Sequence, residues 1–103
     1  MMLIYTICKN KQEAKKIAGF LLKLKLIACA NFYPVESVYR WNNKIVNGKE
    51  AVMFLKTKKE NYQKVEATFK KLSSYEIPCI FEIDVDKISK QYKDWARKET
   101  RVI

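Results

Sequence analysis

Three cysteines, at positions 8, 29 and 79, are the only thiols of this 103-residue chain, and it has no histidine. The missing imidazole removes the commonest general base, the serine-type triads and every His-based metal site. The cysteines are odd in number and form no CxxC pair, so neither a disulfide framework nor a structural zinc cluster is expected. The acid–base groups that remain are carboxylates, tyrosines, lysines and thiols. No pair of them stands at a diagnostic spacing, and no nucleophile has an evident base beside it. The chain is therefore not expected to be an enzyme. Its two glycines belong to neither a GxGxxG nor a GxxxxGK(S/T) pattern, which removes a phosphate-cradling loop. A metal ion would have to use thiolate, carboxylate, backbone oxygen and water.

The composition sets the frame for that chemistry. Hydrophobic residues make up 49% of the chain and charged residues 31%, as in soluble globular proteins. The length fits one domain, 1–103. No apolar run reaches the roughly 18 residues of a membrane helix. The stretch Met1 to Cys8 has neither a basic leader nor a small-residue cleavage site, so it does not read as a signal peptide. Lysine plus arginine is 21 against 11 acidic residues, a net charge of +10. That balance is a footprint for polyanions. The lysines are scattered, however, which favours a lysine-coated, solubilising surface.

The elements follow from periodicity. Leu3 to Cys8 reads as a strand. Asn10, with Glu13 three positions on, suits a helix N-cap with a reciprocal Glu. Ala14, Ile17, Ala18, Leu21 and Leu22 form one buried stripe, and that helix ends near Lys25. Ile27 to Trp41 is a long strand, expected to bulge or bend at Pro34. Asn42-Asn43 supplies a two-residue hairpin turn. The return strand starts at Lys44, is interrupted at Asn47-Gly48 and resumes from Glu50 to Lys56. Thr57 with Glu60 repeats the capping spacing ahead of a helix marked by Tyr62, Val65, Phe69 and Leu72, which Ser73-Ser74 ends. Cys79 to Val85 is the last strand, and Cys8 and Cys79 are expected in strand interiors without a function. Ser89 caps a final helix carrying Tyr92, Trp95 and Ala96, and a short tail, Arg101 to Ile103, follows. The order is that of a ferredoxin-like α+β sandwich, βαββαβ, with an extra C-terminal helix. The first and third strands are apolar on both faces, although three helices cover only one. Subunit association is the expected cover.

Several segments carry a resemblance. They are Ala28-Cys29-Ala30-Asn31, Ser37-Val38-Tyr39-Arg40-Trp41, Leu55-Lys56-Thr57, Tyr75-Glu76-Ile77-Pro78 and Tyr92-Lys93-Asp94-Trp95. In this order and at these distances they resemble the CutA family, the divalent-cation tolerance proteins, from about Tyr5 to Thr100. The resemblance implies a homotrimer of ferredoxin-like protomers, a cytoplasmic setting and a link to copper or other divalent ions. It also implies kinship in architecture with the PII-type signalling trimers. One departure stands out: the family typically places His-Pro where this chain has Ser73 and Ser74.

Cys29 matches the family's usual cysteine, and Glu76 is the carboxylate of the YE-x-P block. They are the candidate metal residues, with Lys56 or Arg40 as alternative partners for Glu76. A functional cleft is expected between subunits, built from Cys29 to Asn31, Lys56, Tyr75, Glu76 and Trp95 at one converging rim of strand ends. Tyr39, Arg40 and Trp41 are assigned to the subunit interface, since the resemblance implies that their hairpin is shared. No cofactor is required, and a weakly bound divalent cation such as copper is the group the cleft would admit. With Lys56 beside it, an anionic small molecule is the other expected occupant. A second reading is an RNA-binding module of the RRM type, which has the same element order. Leu3-Ile4-Tyr5 could pass for its RNP2 strand. Gly48 to Phe54 lacks the second glycine and the paired aromatics of RNP1, so nucleic acid is not the expected partner.

Overall fold

A computed structural model describes residues 1–101 of the chain. The element order is β1 (Met2–Cys8), α1 (Lys11–Lys23), β2 (Cys29–Trp41), β3 (Lys44–Thr57), α2 (Tyr62–Leu72), β4 (Ile80–Asp84) and α3 (Lys90–Glu99). The four strands make one antiparallel sheet in the order β2-β3-β1-β4. That is the ferredoxin-like arrangement expected. Val102 and Ile103 of the expected tail lie outside the described residues.

The local chemistry explains most boundaries. Asn10 Oδ1 accepts from the Glu13 backbone N–H at 2.8 Å and opens α1. The Glu13 carboxylate does not return to the cap residue. It accepts from Lys9 N–H at 3.0 Å and Ser74 N–H at 3.1 Å, and so ties α1 to the segment after α2. At the other end, Lys25 takes φ 60°. The Lys25 N–H reaches Leu22 O at 3.0 Å, and the Leu26 N–H reaches Leu21 O at 3.0 Å. This pair of bonds is a Schellman motif with lysine where glycine is usual.

Pro34 causes no bulge. The β2–β3 register runs without a break from Cys29↔Lys56 to Trp41↔Lys44, with Pro34 opposite Ala51. β2 is an edge strand, and a proline nitrogen turned outward there costs no ladder bond. Asn47-Gly48 likewise stays paired, opposite Val38 and Ser37. Asn42 and Asn43 take φ 50° and 63°, as a mirror-image hairpin turn demands. Thr57 does not cap α2. It is the last residue of β3, opposite Met2, and its hydroxyl donates to Leu26 O at 2.6 Å. A short 3-10 turn, Lys59–Asn61, leads into α2 instead. Ser89 does cap α3, accepting from Tyr92 N–H at 3.4 Å.

The core lies between the sheet and α1 and α2. Ile4, Cys8, Met53 and Leu55 from the sheet meet Ile17, Leu21, Val65 and Phe69 from the helices. The other face of the sheet is not covered by α1 or α2, and α3 reaches it at Lys56 through Tyr92. Tyr5 stacks on Phe81 at 4.8 Å between ring centroids and meets Phe54 edge-on at 5.6 Å, while Tyr33 lies 6.4 Å from Phe54. Phe81, Ile83 and Tyr33 on this face remain 46%, 41% and 47% exposed. The two-sided apolar pattern of β1 and β3 therefore leaves an open aromatic surface on the single chain.

Candidate functional site

The antiparallel register divides the expected cleft residues between two ends of the sheet. Cys29, at the start of β2, pairs with Lys56 near the end of β3, and Lys56 pairs with Leu3. Cys29 Sγ lies 3.8 Å from Asn31 Oδ1. Lys56 Nζ stands 5.6 Å from the Tyr92 ring centroid, a cation–π distance. Tyr92 in turn lies 5.5 Å from Trp95. Cys29, Asn31, Lys56 and Trp95 thus gather at one rim, with Tyr92 as the residue that joins them.

Tyr75 and Glu76 lie at the other rim. β4 runs antiparallel to β1, so its start, Ile80, meets Thr6 and not Met2. The Tyr75 hydroxyl donates to Glu50 Oε2. Glu50 and Lys56 are six residues apart on β3, about 20 Å along an extended strand. The single converging rim expected from the strand ends is therefore two rims in one chain. Lys56 does not pair with Glu76. Arg40 faces the same cleft as Glu76, together with Trp41, Asn42, Asn43 and Ile77.

At the Tyr75 rim the chain forms a cavity of about 550 Å³. Tyr39, Trp41, Ser37 and Val38 supply its β2 wall, Glu50 its β3 wall, Ile7 its β1 wall, and Tyr75 to Ile77 with Cys79 the remainder. Three bonds hold the 73–75 segment there: Ser73 N–H to Phe69 O at 2.8 Å, Ser74 N–H to Glu13, and Tyr75 to Glu50. Burial pushes the Tyr75 phenol above the ordinary tyrosine range, and the bond to Glu50 adds to the shift. Burial and then the Glu50 charge raise the Cys79 thiol as well. Both groups therefore keep their protons. Cys79 lies one residue before β4, half-buried at the cavity wall, and not in a strand interior as expected. Cys8 is buried, as expected, and burial with the Glu13 charge raises its thiol to about 12.

Glu50 and Cys79 at the cavity, and Tyr92 at the other rim, were not among the expected site residues. The signal for Glu50 lay in the alternation of β3. Glu50, Val52, Phe54 and Lys56 share one face, and a carboxylate among apolar neighbours marks a place where charge has a use. Among the described residues no three His, Cys, Asp or Glu side chains cluster closely enough to hold a metal ion. Cys29 and Glu76 lie at opposite rims, so one chain alone does not make a metal centre from them.

A four-stranded antiparallel sheet in the order β2-β3-β1-β4 with an aromatic face and a cavity at the Tyr75 rim defines a ferredoxin-like α+β protein. The family model for the CutA1 divalent ion tolerance protein matches residues 2–99. The divalent-cation tolerance protein CutA of Pyrococcus horikoshii is 36% identical over 101 residues, covering 98% of this chain and 99% of its own. Among solved structures, a periplasmic divalent cation tolerance protein CutA from Archaeoglobus fulgidus is 35% identical with TM-score 0.94, covering 95% of this chain and 96% of that one. A PII-like protein CutA from a Nostoc species, in apo form, is 26% identical with TM-score 0.93 over the whole of both chains. The chain belongs to the CutA divalent-cation tolerance family. The RRM-type alternative is not supported: the matching family model and these relatives are of another kind.

Proposed function

We propose that this protein is a homotrimeric, non-catalytic binding member of its family, which takes a divalent cation such as copper, or a small ligand, at clefts between subunits. One observation carries the reading. The Cys29, Asn31, Lys56, Trp95 group and the Tyr75, Glu76 group stand at opposite rims of one sheet, so a cleft containing both needs two chains. The open sheet face supports association independently. The chain exposes 7043 Å², against roughly 6,000 Å² for an ordinary monomer of its mass. Its long axis is 45 Å against 26 and 21 Å for the others. Tyr39, Arg40 and Trp41 ride on the projecting hairpin and serve as its contact residues.

The cation is cargo here. Without imidazole it would bind through Cys29 of one chain and Glu76 of the next, keeping waters. Lys56 opposite Cys29 opposes a cation and favours a ligand that also carries negative charge. Such binding suits a tolerance or signalling role in the cytoplasm. Three free cysteines fit that reducing compartment, although the Archaeoglobus relative is described as periplasmic. No helix among the described residues is long and apolar enough to cross a membrane.

The test has two parts. Sedimentation at micromolar concentration is expected to give three times 12.2 kDa, and a stable monomer overturns the assembly. Calorimetric copper titration of the parent is set beside Cys29→Ala and Glu76→Ala. Weaker binding in both supports the cleft, and unchanged stoichiometry and affinity in both removes these residues as ligands.

A further inference from the structure

The helix layer, on the side of the sheet away from the aromatic face, carries another cavity, of about 430 Å³. Gln12, Lys16 and Phe20 stand four residues apart on α1 and give it one wall, as a single helical stripe does. Leu72, the last residue of α2, supplies the other side, and Ile17 is buried beneath. Lys9, between β1 and α1, completes the lining. None of these residues is among those assigned to the subunit contact or to the inter-subunit cleft. Ala14, Ile17, Ala18 and Leu21 already form the core stripe of α1, yet Phe20 and Leu72 are 46% and 37% exposed. Two ammonium groups border this apolar surface. Among the described residues neither Lys9 nor Lys16 takes part in an ion pair. Glu13 is the one carboxylate of the lining among those residues. Its two oxygens are already held by the backbone N–H groups of Lys9 and Ser74. Asn10 Oδ1 is likewise occupied, by the Glu13 N–H. The polar groups left for a ligand are therefore the two ammoniums and the Gln12 amide.

The lining selects among ligand classes. An inorganic anion would leave the Phe20 and Leu72 surface in water, and a neutral hydrocarbon would leave both ammoniums without a partner. A membrane surface needs apolar groups that project, whereas these line a hollow. A carboxylate with an alkyl body fits both features. Its oxygens accept from ammonium groups in charge-assisted bonds, and its body covers apolar surface that water now touches. The net charge of +10 draws such an anion toward the protein. The volume is ordinary for a small-molecule site. We propose that this cavity binds a small single-chain carboxylate, its carboxylate on Lys9 and Lys16 and its alkyl body on Ile17, Phe20 and Leu72. The trimer proposed above would carry one such site per chain on its helix layer, apart from the clefts between subunits.

Octanoate is the probe and 1-octanol its neutral counterpart, titrated calorimetrically into the assembled protein in buffer containing a chelator. The chelator separates this result from the copper reading, which can fail or hold independently. One equivalent of octanoate per chain is expected, with octanol at least about tenfold weaker, equivalent to about 1.4 kcal/mol. Lys9→Gln and Lys16→Gln, both at exposed positions, should each weaken octanoate about threefold and leave octanol unchanged. Glutamine is close to lysine in helix propensity, so α1 keeps its fold in the second variant. Phe20→Ser should weaken both probes, because it removes apolar wall and no charge. Raising the salt should weaken octanoate alone. Equal affinity for the two probes overturns the proposal. So does the absence of octanoate binding, or octanoate binding that is unchanged when Lys9 and Lys16 are replaced together.

Discussion

At the scale of single residues, the buried polar groups have definite work. Thr57 is buried, and its hydroxyl donates to Leu26 O, which also accepts from Asn61 Nδ2 at 3.2 Å. The pair joins the end of β3 and the following turn to the chain leaving α1. Thr57→Val keeps the volume and removes one donor. It should lower the free energy of unfolding by about 1 kcal/mol, read from urea denaturation. An unchanged midpoint would show that the bond adds nothing. Cys8 makes the second residue-scale prediction. Its thiol rises from the ordinary 9.0 to about 12, chiefly through burial and then through Glu13. The folded state holds this proton more tightly than the unfolded state does. The resulting stability is complete below about pH 9 and is lost as pH climbs toward about 12. Between pH 8 and about pH 10 the parent should therefore lose more stability than Cys8→Ala. Parallel losses in the two proteins would contradict it. The sequence places Cys8 inside a strand, and it is buried at the end of β1. The sequence did not reveal that Cys79 lies in a cavity wall, because one residue's shift in the start of β4 decides that.

At the scale of elements, most boundaries were legible because their causes are local. Asn10, Ser73, Ser89 and Asn42-Asn43 act within three or four residues of themselves, and each does what its type predicts. The exceptions were long-range. Thr57 has the spacing of a cap, but pairing with Met2 keeps it in β3. Glu60, its expected capping partner, meets Arg97 of α3 at 3.2 Å. Pro34 would break a central strand, and only the sheet order makes it harmless. Lys25 offers the test at this scale. Its φ of 60° is strained for a side chain with a Cβ, at about 1–2 kcal/mol. Its backbone bonds to Leu22 O and from Arg101 N–H involve no side-chain atom. Lys25→Gly should therefore stabilise the protein by about 1 kcal/mol, after the entropy glycine loses on folding. Thermal or urea unfolding that shows a loss would mean that the lysine side chain supports the motif in another way.

At the scale of the whole molecule, the open sheet face governs behaviour. Phe81 and Ile83 on β4 flank the Tyr5 and Phe54 rings there. An assembled face has no place for an unpaired cation. For the proposed trimer, Phe81→Lys should reduce the sedimenting mass to that of one chain while the far-ultraviolet dichroism stays that of the parent. A variant that remains three chains in mass would show that the face lies outside the contact.

The sequence by itself determined the element types, the ferredoxin-like order, the two-faced strands and the family. Each of these is written in short-range periodicity or in the order and spacing of motifs. The tertiary structure decided which chemistry meets. Glu50 and Tyr75 are separated by 25 positions and joined by a hydrogen bond, whereas Lys56 and Glu76, separated by 20, stand at opposite rims. The cause is the antiparallel register of β1 with β3 and β4. It sends the start of β4 to the end of β1 and the end of β3 to its start. Periodicity sets which face of a strand a residue occupies, but only pairing across the sheet sets how far along that face its neighbours lie.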